Sequence, residues 1–389
     1  MRRILFISGS RADYGPARRV LQAIQAAPDL TLSILVTGMH LDITHGETWR
    51  EIAADGFTIA ERVFGRISGD DLSAMAASLG LYLLGISQAV ASIKPDIVLV
   101  LGDRGEQLAG AMAAASQNIT VVHLCGGSVS GSIDDSIRHA VTKFAHFHLP
   151  ATEEHARRII RMGEDPARVR VVGLPGADIR PDVIYSREKI CEDLGLPVEQ
   201  PYLLVVQHAV SHTQEQAGYQ IVETLEAVAS LPYPALLANP NDDAGSRVIL
   251  ATMKEYARRH PHLHLLPPSG SRERFASIMA HAEAMIGNSS SGIVEAMSVG
   301  LPVINIGDRQ QGRETLACLL NTDYDREQIK QAIRNAIFDR DYRQRLSEFK
   351  SPMSRADTEQ KVVDFLGNID LRVAGRAKTF WDAEFIADA

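Results

Sequence analysis

Three features predict an α/β fold of two doubly wound, Rossmann-like domains facing a central cleft. Short apolar runs recur with helical patterns between them: RILFIS, LTLSILV, DIVLVLG, TVVHL, FHL and VRVVG, separated by stretches such as 14–27 and 104–117. These runs lack strict polar alternation, as expected of strands buried on both faces of a parallel sheet. The pattern pauses at 174–201, where Pro175, Pro181, Pro197 and Pro201 surround one short charged helix,. It restarts as YLLVVQH, ALLANP, HLHLL, AEAMIGN and PVINIG. The boundaries that follow are 1–175 for a first domain, 176–200 for a linker and 201–350 for a second domain. Residues 351–389 are left as a C-terminal helix and tail packing back on the first domain. At 389 residues the chain has length for both domains,.

The net charge of −8 argues against nucleic acid as the main partner, which would need a clustered excess of Lys and Arg,. A local basic site for a small anion is still compatible with it. Cys125, Cys191 and Cys318 form no C-x-x-C pair, so neither a disulfide framework nor a zinc site is expected, and a reducing cytoplasm is,. The start MRRILFIS is basic but its apolar run stops at Gly9-Ser10-Arg11, short of a signal-peptide core,. No segment is expected to reach the roughly 18 apolar residues a membrane helix needs.

In a doubly wound sheet, ligands bind beyond the carboxyl ends of the strands. After the first strand, SGSRADYG offers small residues, exposed backbone N–H groups and Arg11, which suit phosphate or simply turn the chain,. VLVLGDRGEQ puts Asp103, Arg104 and Glu106 after an uninterrupted strand. Asp103 there is either a helix cap or a working acid, and Arg104 either its ion-pair partner or a ligand for the anion. HLCGGSVSGSIDDSIRHAVTKFAHFHL places Asp134 and Asp135 at a helix start, with Asp134 an N-cap or an acid, and Arg138 and His139 one turn on,. His146 and His148 read as core residues.

The second half carries a clearer signal. His208 lies just past a strand and reads as a titratable catalytic or phosphate-facing group, whereas His212 reads as surface. The spacing of these two histidines would suit a metal on a helix, but no third ligand is nearby. GNSSSGIVEA follows a strand with Ser289, Ser290, Ser291 and Gly292, whose hydroxyls and helix-start N–H groups make a neutral anion cradle,. Glu295, about one turn into the expected helix, can accept hydrogen bonds from a ribose diol. Phosphate at the turn and ribose at the acid mean a nucleotide. Arg309 and Arg313 in GDRQQGRE add charge for two phosphates,.

These stretches together resemble the UDP-N-acetylglucosamine 2-epimerase family, in particular its hydrolysing branch and the epimerase domain of the bifunctional animal enzyme of sialic acid synthesis. The resemblance runs from about residue 3 to 366 through SRADYG, GDR, VSGSIDDSIRHA, QHA, PNDDAGS, GNSSSG and GDRQQGRE. It implies a GT-B-like fold with UDP on the second domain at Ser290, Ser291, Glu295 and Arg313, with Asn241 and His208 nearby. Arg11 would reach the phosphates from the first domain, and Asp103 and Asp134 would match catalytic acids. A homodimer or homotetramer is implied too. The chain departs from the animal pattern EGGE with CGGS, so Cys125 and Ser128 stand where that pattern has glutamates, and His208-Ala209 replaces His-Pro.

The chemistry the resemblance implies is C1–C2 elimination of UDP to 2-acetamidoglucal, then water addition giving N-acetylmannosamine, with neither metal nor hydride cofactor. Leaving-group charge would fall on arginine and histidine, and Asp103 and Asp134 would be the acid–base pair. The same chemistry on a UDP-linked diacetamido sugar, a retaining glycosyltransferase and a non-catalytic nucleotide-sugar binder are the alternatives.

Overall fold

Burial on both faces, the reason the apolar runs lack alternation, is what the central strands show. The computed structural model describes residues 1–67, 69, 71–177, 184–241, 243–267, 272–313, 318–349, 351, 353, 355–374 and 378–382. The first domain runs β1 (Arg2–Ser8), α1 (Arg11–Ala26), β2 (Leu30–Thr37), α2 (Trp49–Ala54), β3 (Ile59–Val63) and α3 (Leu72–Ile93). It continues with β4 (Ile97–Leu101), α4 (Gly105–Ala115), β5 (Thr120–Leu124), α5 (Ile133–Phe144), β6 (Phe147–Leu149) and α6 (Glu153–Arg161). The second runs α7 (Arg187–Leu194), β7 (Leu203–Val206), α8 (Ala217–Ala229), β8 (Ala235–Leu237), α9 (Ser246–Arg259), β9 (Leu263–Leu265) and α10 (Arg272–His281). After these come β10 (Ala284–Gly287), α11 (Ser290–Val294), β11 (Val303–Ile306), β12 (Leu319–Thr322), α12 (Arg326–Phe338) and α13 (Arg340–Glu348).

The sheets are ordered β3-β2-β1-β4-β5-β6 and β12-β11-β10-β7-β8-β9, with all pairings parallel. In both, the direction of winding reverses between the first and fourth strand of the domain, so the crevices open after β1 and β4 and after β7 and β10. These are the ends carrying Ser8 to Arg11, Asp103, His208 and the serine run.

The structure corrects four expectations. VRVVG forms no strand; it touches β6 through a single bridge, His148 to Val169, because only scattered backbone bonds reach it. Two short strands, β3 and β12, were not anticipated. The segment read as a linker contains α7, whose Ile190 and Cys191 are buried in the second domain's core, so that part packs as domain. Finally, α3 is 22 residues long with a mean hydropathy of 1.5, long and apolar enough to cross a membrane. Scattered Ser and Gly hid it from a search for unbroken apolar runs. In the fold Tyr82, Ile86, Ala89 and Val90 pack on the sheet face formed by Leu5, Ile7, Val98 and Val100.

A C-terminal helix, α14 (Thr358–Asn368), returns to the first domain and lies along α1. Val362, Phe365 and Leu366 join a cluster with Tyr14, Leu21 and Ile24, and Arg2 Nη1 donates to the carbonyls of Leu366 (2.9 Å) and Ile369 (2.7 Å).

The turn after β1 is built around a buried carboxylate. Asp13 accepts from Ser8 Oγ (2.5 Å), the N–H groups of Gly9 (3.0 Å) and Ser10 (3.1 Å), and Gln107 Nε2 (3.3 Å). Burial pushes its pKa up to about 7, against the pull of the bonds from Ser8 and Gly9,. Asp13→Ala strands these donors, each at about 1–3 kcal/mol when left unpaired. Thermal unfolding of the variant should show a clearly lower Tm for the first domain; an unchanged Tm would mean water replaces the carboxylate without loss.

Candidate active site

In the first domain the site is organised by Arg138, which projects from α5 and is 1% exposed. A cation so buried requires acceptors close to its charge. Nη2 bonds Asp103 at the end of β4 and Ser130 Oγ (3.2 Å); Nη1 bonds Asp135 (3.0 Å) and the carbonyl of Ser128 (3.1 Å). Asp103 therefore caps nothing: Arg104 is the N-cap residue of α4, without a side-chain cap bond. Burial would raise the Asp103 pKa, but Arg138 and Arg313 outweigh it and hold the carboxyl below its ordinary range.

Asp134 is not the cap of α5 either, since Ser132 holds that position. Its carboxylate faces the second domain, with Arg309 Nη2 3.6 Å from Oδ2. Burial raises its pKa to about 6, aided by the charges of Asp103 and Asp243 and opposed by Arg309 and Arg104. Arg104 does not pair with Asp103; it reaches Glu106 (3.7 Å) and, across the cleft, Asp243 (3.9 Å).

The second domain converges on Asn288, fully buried at the end of β10. Its side chain exchanges two bonds with the backbone of His208 (2.8 and 2.9 Å) at the end of β7, and its carbonyl accepts from Arg309 Nη1 (3.2 Å) and Gln310 Nε2 (2.8 Å). Burial first, then Arg309 and Arg104, lowers the His208 pKa well below its ordinary value. Its Nδ1 accepts from the N–H of Asn241 (3.0 Å), so the ring is neutral and carries its proton on Nε2,. The expected titratable group is thus a fixed hydrogen-bond donor.

Arg309 also lies 3.8 Å from Asp243, and its carbonyl accepts from Gly131 N–H of the first domain (3.1 Å). The domains touch so closely there that a Cβ on Gly131 would fall 2.2 Å from the carbonyl oxygen of Asp308. Arg313 is pushed down to about 10 by burial and by Arg138. The Nε atoms of Arg104, Arg309 and Arg313 are buried with no hydrogen-bond partner among the described residues. Clustered, under-satisfied guanidiniums at a switch-point cleft are chemically suited to a small polyanion.

Other expected groups are placed differently. Arg11 is engaged with Glu51 of α2 (Nε to Oε1, 3.0 Å), and the N–H groups of Gly9 and Ser10 are taken by Asp13, so the first turn spends its donors internally. The serine run starts only a five-residue helix, after which Glu295 begins a 3-10 turn. Ser289, not Ser290, is its cap, bonded to the N–H (3.3 Å) and Oγ (2.8 Å) of Ser291, while the N–H of Gly292 bonds the carbonyl of Ser289 (3.1 Å). Glu295 Oε1 accepts from Arg272 Nη2 (2.8 Å). His148 is a core residue bonded to Glu164 (3.0 Å), His146 Nδ1 accepts from the N–H of Val121 (3.1 Å), and His212 is about half exposed. Cys125 has φ 65°, in the left-handed region, and burial with the charge of Asp103 pushes its thiol up to about 12. Asp243, Asn288 and Gln310 were not singled out from the sequence, although each lies inside a motif, PNDDAGS, GNSSSG and GDRQQGRE respectively, and that membership is the signal that could have found them. Asp103, Asp134, Arg104, Arg309, Arg313, Asn241 and His208 are brought together across the cleft.

Two facing doubly wound domains with a cleft between their strand ends define a GT-B-type fold. The family model described as UDP-N-acetylglucosamine 2-epimerase matches residues 22–367, and the chain belongs to this family. It is 38% identical over 338 residues to a UDP-N,N'-diacetylbacillosamine 2-epimerase (hydrolyzing) of Legionella pneumophila, covering 87% of this chain and 89% of that one. It is 36% identical to a UDP-N-acetylglucosamine 2-epimerase of Neisseria meningitidis, over 86% and 88% of the two chains. Among solved structures, the Neisseria meningitidis UDP-GlcNAc 2-epimerase bound to UDP-GlcNAc matches with a TM-score of 0.79 at 15% identity, over 94% of this chain and 99% of that one. The Methanocaldococcus jannaschii UDP-GlcNAc 2-epimerase in complex with UDP-GlcNAc and UDP matches at 0.77 and 17%, with the same coverage.

Arg138→Met should destabilise the chain by about 3–5 kcal/mol at neutral pH, because Asp103 and Asp135 lose a buried partner. Asp103 with its guanidinium stabilises the fold above the unfolded carboxylate range and ceases to as pH falls through its lowered pKa. The Tm difference between wild type and Arg138→Met should therefore narrow as the pH is lowered below about 4, the ordinary carboxylate range; a pH-independent difference would assign the loss to packing.

Proposed function

We propose that this chain is a hydrolysing UDP-sugar 2-epimerase that converts UDP-N-acetylglucosamine to UDP and N-acetylmannosamine. The observation that carries this is the meeting, across one cleft, of two first-domain carboxyls of unequal proton affinity with the second-domain guanidiniums of Arg309 and Arg313, beside first-domain Arg104. Family membership and the hydrolysing relatives support the same chemistry.

Asp134, poised near neutrality, takes the proton from sugar C2,. The C1–O bond breaks with its electron pair going to the β-phosphate, where Arg309, Arg313 and the Nε2–H of neutral His208 receive the charge. The C1–C2 double bond of 2-acetamidoglucal forms. Water then adds, its oxygen to C1, its proton relayed through ionised Asp103 to C2 on the opposite face, while Asp134 returns its proton to solvent. Cys125 is a neutral thiol and takes no part as a base. Glu295 and Asn241 orient the nucleotide, and Ser289, Ser290, Ser291 and Gly292 line its phosphates. Arg11 contributes from the first domain only once it leaves Glu51. The enzyme is cytoplasmic and assembles as a homodimer or homotetramer in this reading.

A second substrate, UDP-N,N'-diacetylbacillosamine, is favoured by the 38% identity to the Legionella pneumophila relative of that name. Product analysis with both donors in deuterated water decides: the substrate is the donor that yields UDP and a sugar deuterated at C2. No UDP release from either donor would end the catalytic reading.

Because Asp134 works as a base only when ionised, kcat/KM should fall as pH drops through about 6,. Asp134→Asn and Asp103→Asn should each lower kcat by about 100-fold or more with UDP affinity little changed. A flat acid limb, or normal turnover in Asp134→Asn, would remove Asp134 from the chemistry.

The neutral pair Cys125 and Ser128 gives a separate test. Cys125→Glu or Ser128→Glu should leave the rate unchanged or lower it, since a further negative charge beside Asp103 raises the proton affinity of both acids. A large gain from either would show that the native site lacks its base.

A further inference from the structure

Arg272 opens α10 of the second domain, yet its side chain ends on the first. Nη1 donates to the carbonyl of Gly15 in α1 (2.7 Å). Nη2 donates to the carbonyl of Gly176, where the chain leaves the first domain (2.6 Å), and to Glu295 Oε1 (2.8 Å). One planar guanidinium thus bridges a second-domain carboxylate and two first-domain carbonyls, which its fork geometry suits and a lysine ammonium would not. The approach is close on both sides and leaves no room for a side chain at Gly176. A Cβ on Gly176, where φ is +72°, would sit 2.6 Å from Arg272 Nη2, and one on Gly15 would sit 3.3 Å from Cδ. Gly15 is otherwise an unfavourable residue inside a helix, and it gives Arg272 room to pass close to α1,. The adjacent Glu273 reinforces the contact by pairing with Arg18 of α1, whose other nitrogen holds Asp55 (2.5 Å).

We propose that Arg272 is a positioning residue that fixes Glu295 for the ribose of the nucleotide and ties it to the first domain, so that nucleotide binding and domain closure are coupled. This rests on the reading of Glu295 as the ribose acceptor. With Oε1 on Arg272, Oε2 is the oxygen that takes the ribose hydroxyl. A ribose bond that orders Glu295 also orders Arg272 and its grip on Gly15 and Gly176, which brings Asp103 and Asp134 over the sugar. Linkage makes the effect reciprocal: closing the domains must tighten the nucleotide by the same factor.

The test combines small-angle scattering with UDP titration and turnover on wild type, Arg272→Met, Arg272→Lys and Gly15→Val, the last altering only the first-domain face of the contact. Without ligand, Arg272→Met and Gly15→Val should have a larger radius of gyration than wild type. With UDP, Arg272→Met should bind at least about fivefold more weakly, the lower end of ordinary coupling. Its kcat should fall further than its KM changes, and Arg272→Lys should lie between it and wild type. Ligand-free dimensions identical to wild type in both variants overturn the latch whatever their activity. Opening without any loss of UDP affinity overturns the coupling. Failure of wild type to bind UDP or release it from a sugar donor would instead strike the proposed function, and the ligand-free scattering would still report on the Arg272 contact.

Discussion

The buried guanidinium of Arg138 is the constraint on which the first-domain site depends. With almost no exposure it cannot be solvated, so the chain must bring acceptors to it,. Those acceptors are Asp103 from the β4 turn, Asp135 from its own helix, and the Ser128 carbonyl and Ser130 hydroxyl from the glycine-rich loop. The distant β4 turn is thus fixed to the glycine-rich loop and its following helix by one side chain. The pairing keeps Asp103 ionised, and its negative charge is one of the influences that raise neighbouring Asp134. Packing thereby creates two carboxyls of the same chemical type with different proton affinities, the usual device for separating acid–base roles.

The second domain answers with charge of the opposite sign held by neutral groups. Asn288 has no charge, yet it fixes the backbone of His208 and anchors Arg309 and Gln310 through its carbonyl. His208 is kept neutral because it is buried near two guanidiniums. The positive potential of this face therefore comes from arginines that cannot deprotonate at working pH, and it does not vary across the range in which Asp134 titrates. Arg309 meets Asp134 at 3.6 Å, so the two halves are matched in charge as well as shape.

Much of this was legible in the sequence. Unalternating apolar runs separated by helical periods report a buried parallel sheet, and their restart after a proline-rich pause reports a second one, because both follow from local pattern. The strand-end rule then directs attention to Asp103, Asp134, His208 and the arginines. Partners were not legible. Asp103 and Asp134 each looked like a helix cap, since the local pattern for a cap and for a cleft acid is the same. The N–H groups after β1 looked free for phosphate, and only the fold shows Asp13 taking them. The uncharged 22-residue α3 was overlooked because interspersed Ser and Gly broke its apolar run, and only its packing on the sheet shows where its buried face goes.

By itself the sequence determined the fold class, the family and the segments that could carry chemistry, because periodicity and motif are properties of neighbours along the chain. The tertiary structure alone decided which charges meet. Arg138 with Asp103, Arg309 with Asp134, Arg104 with Asp243 and Arg272 with Gly15 are separated by tens to hundreds of residues. Proton affinity, tautomer and domain contact all depend on burial and on distances of a few ångströms between such groups, and no local pattern encodes those.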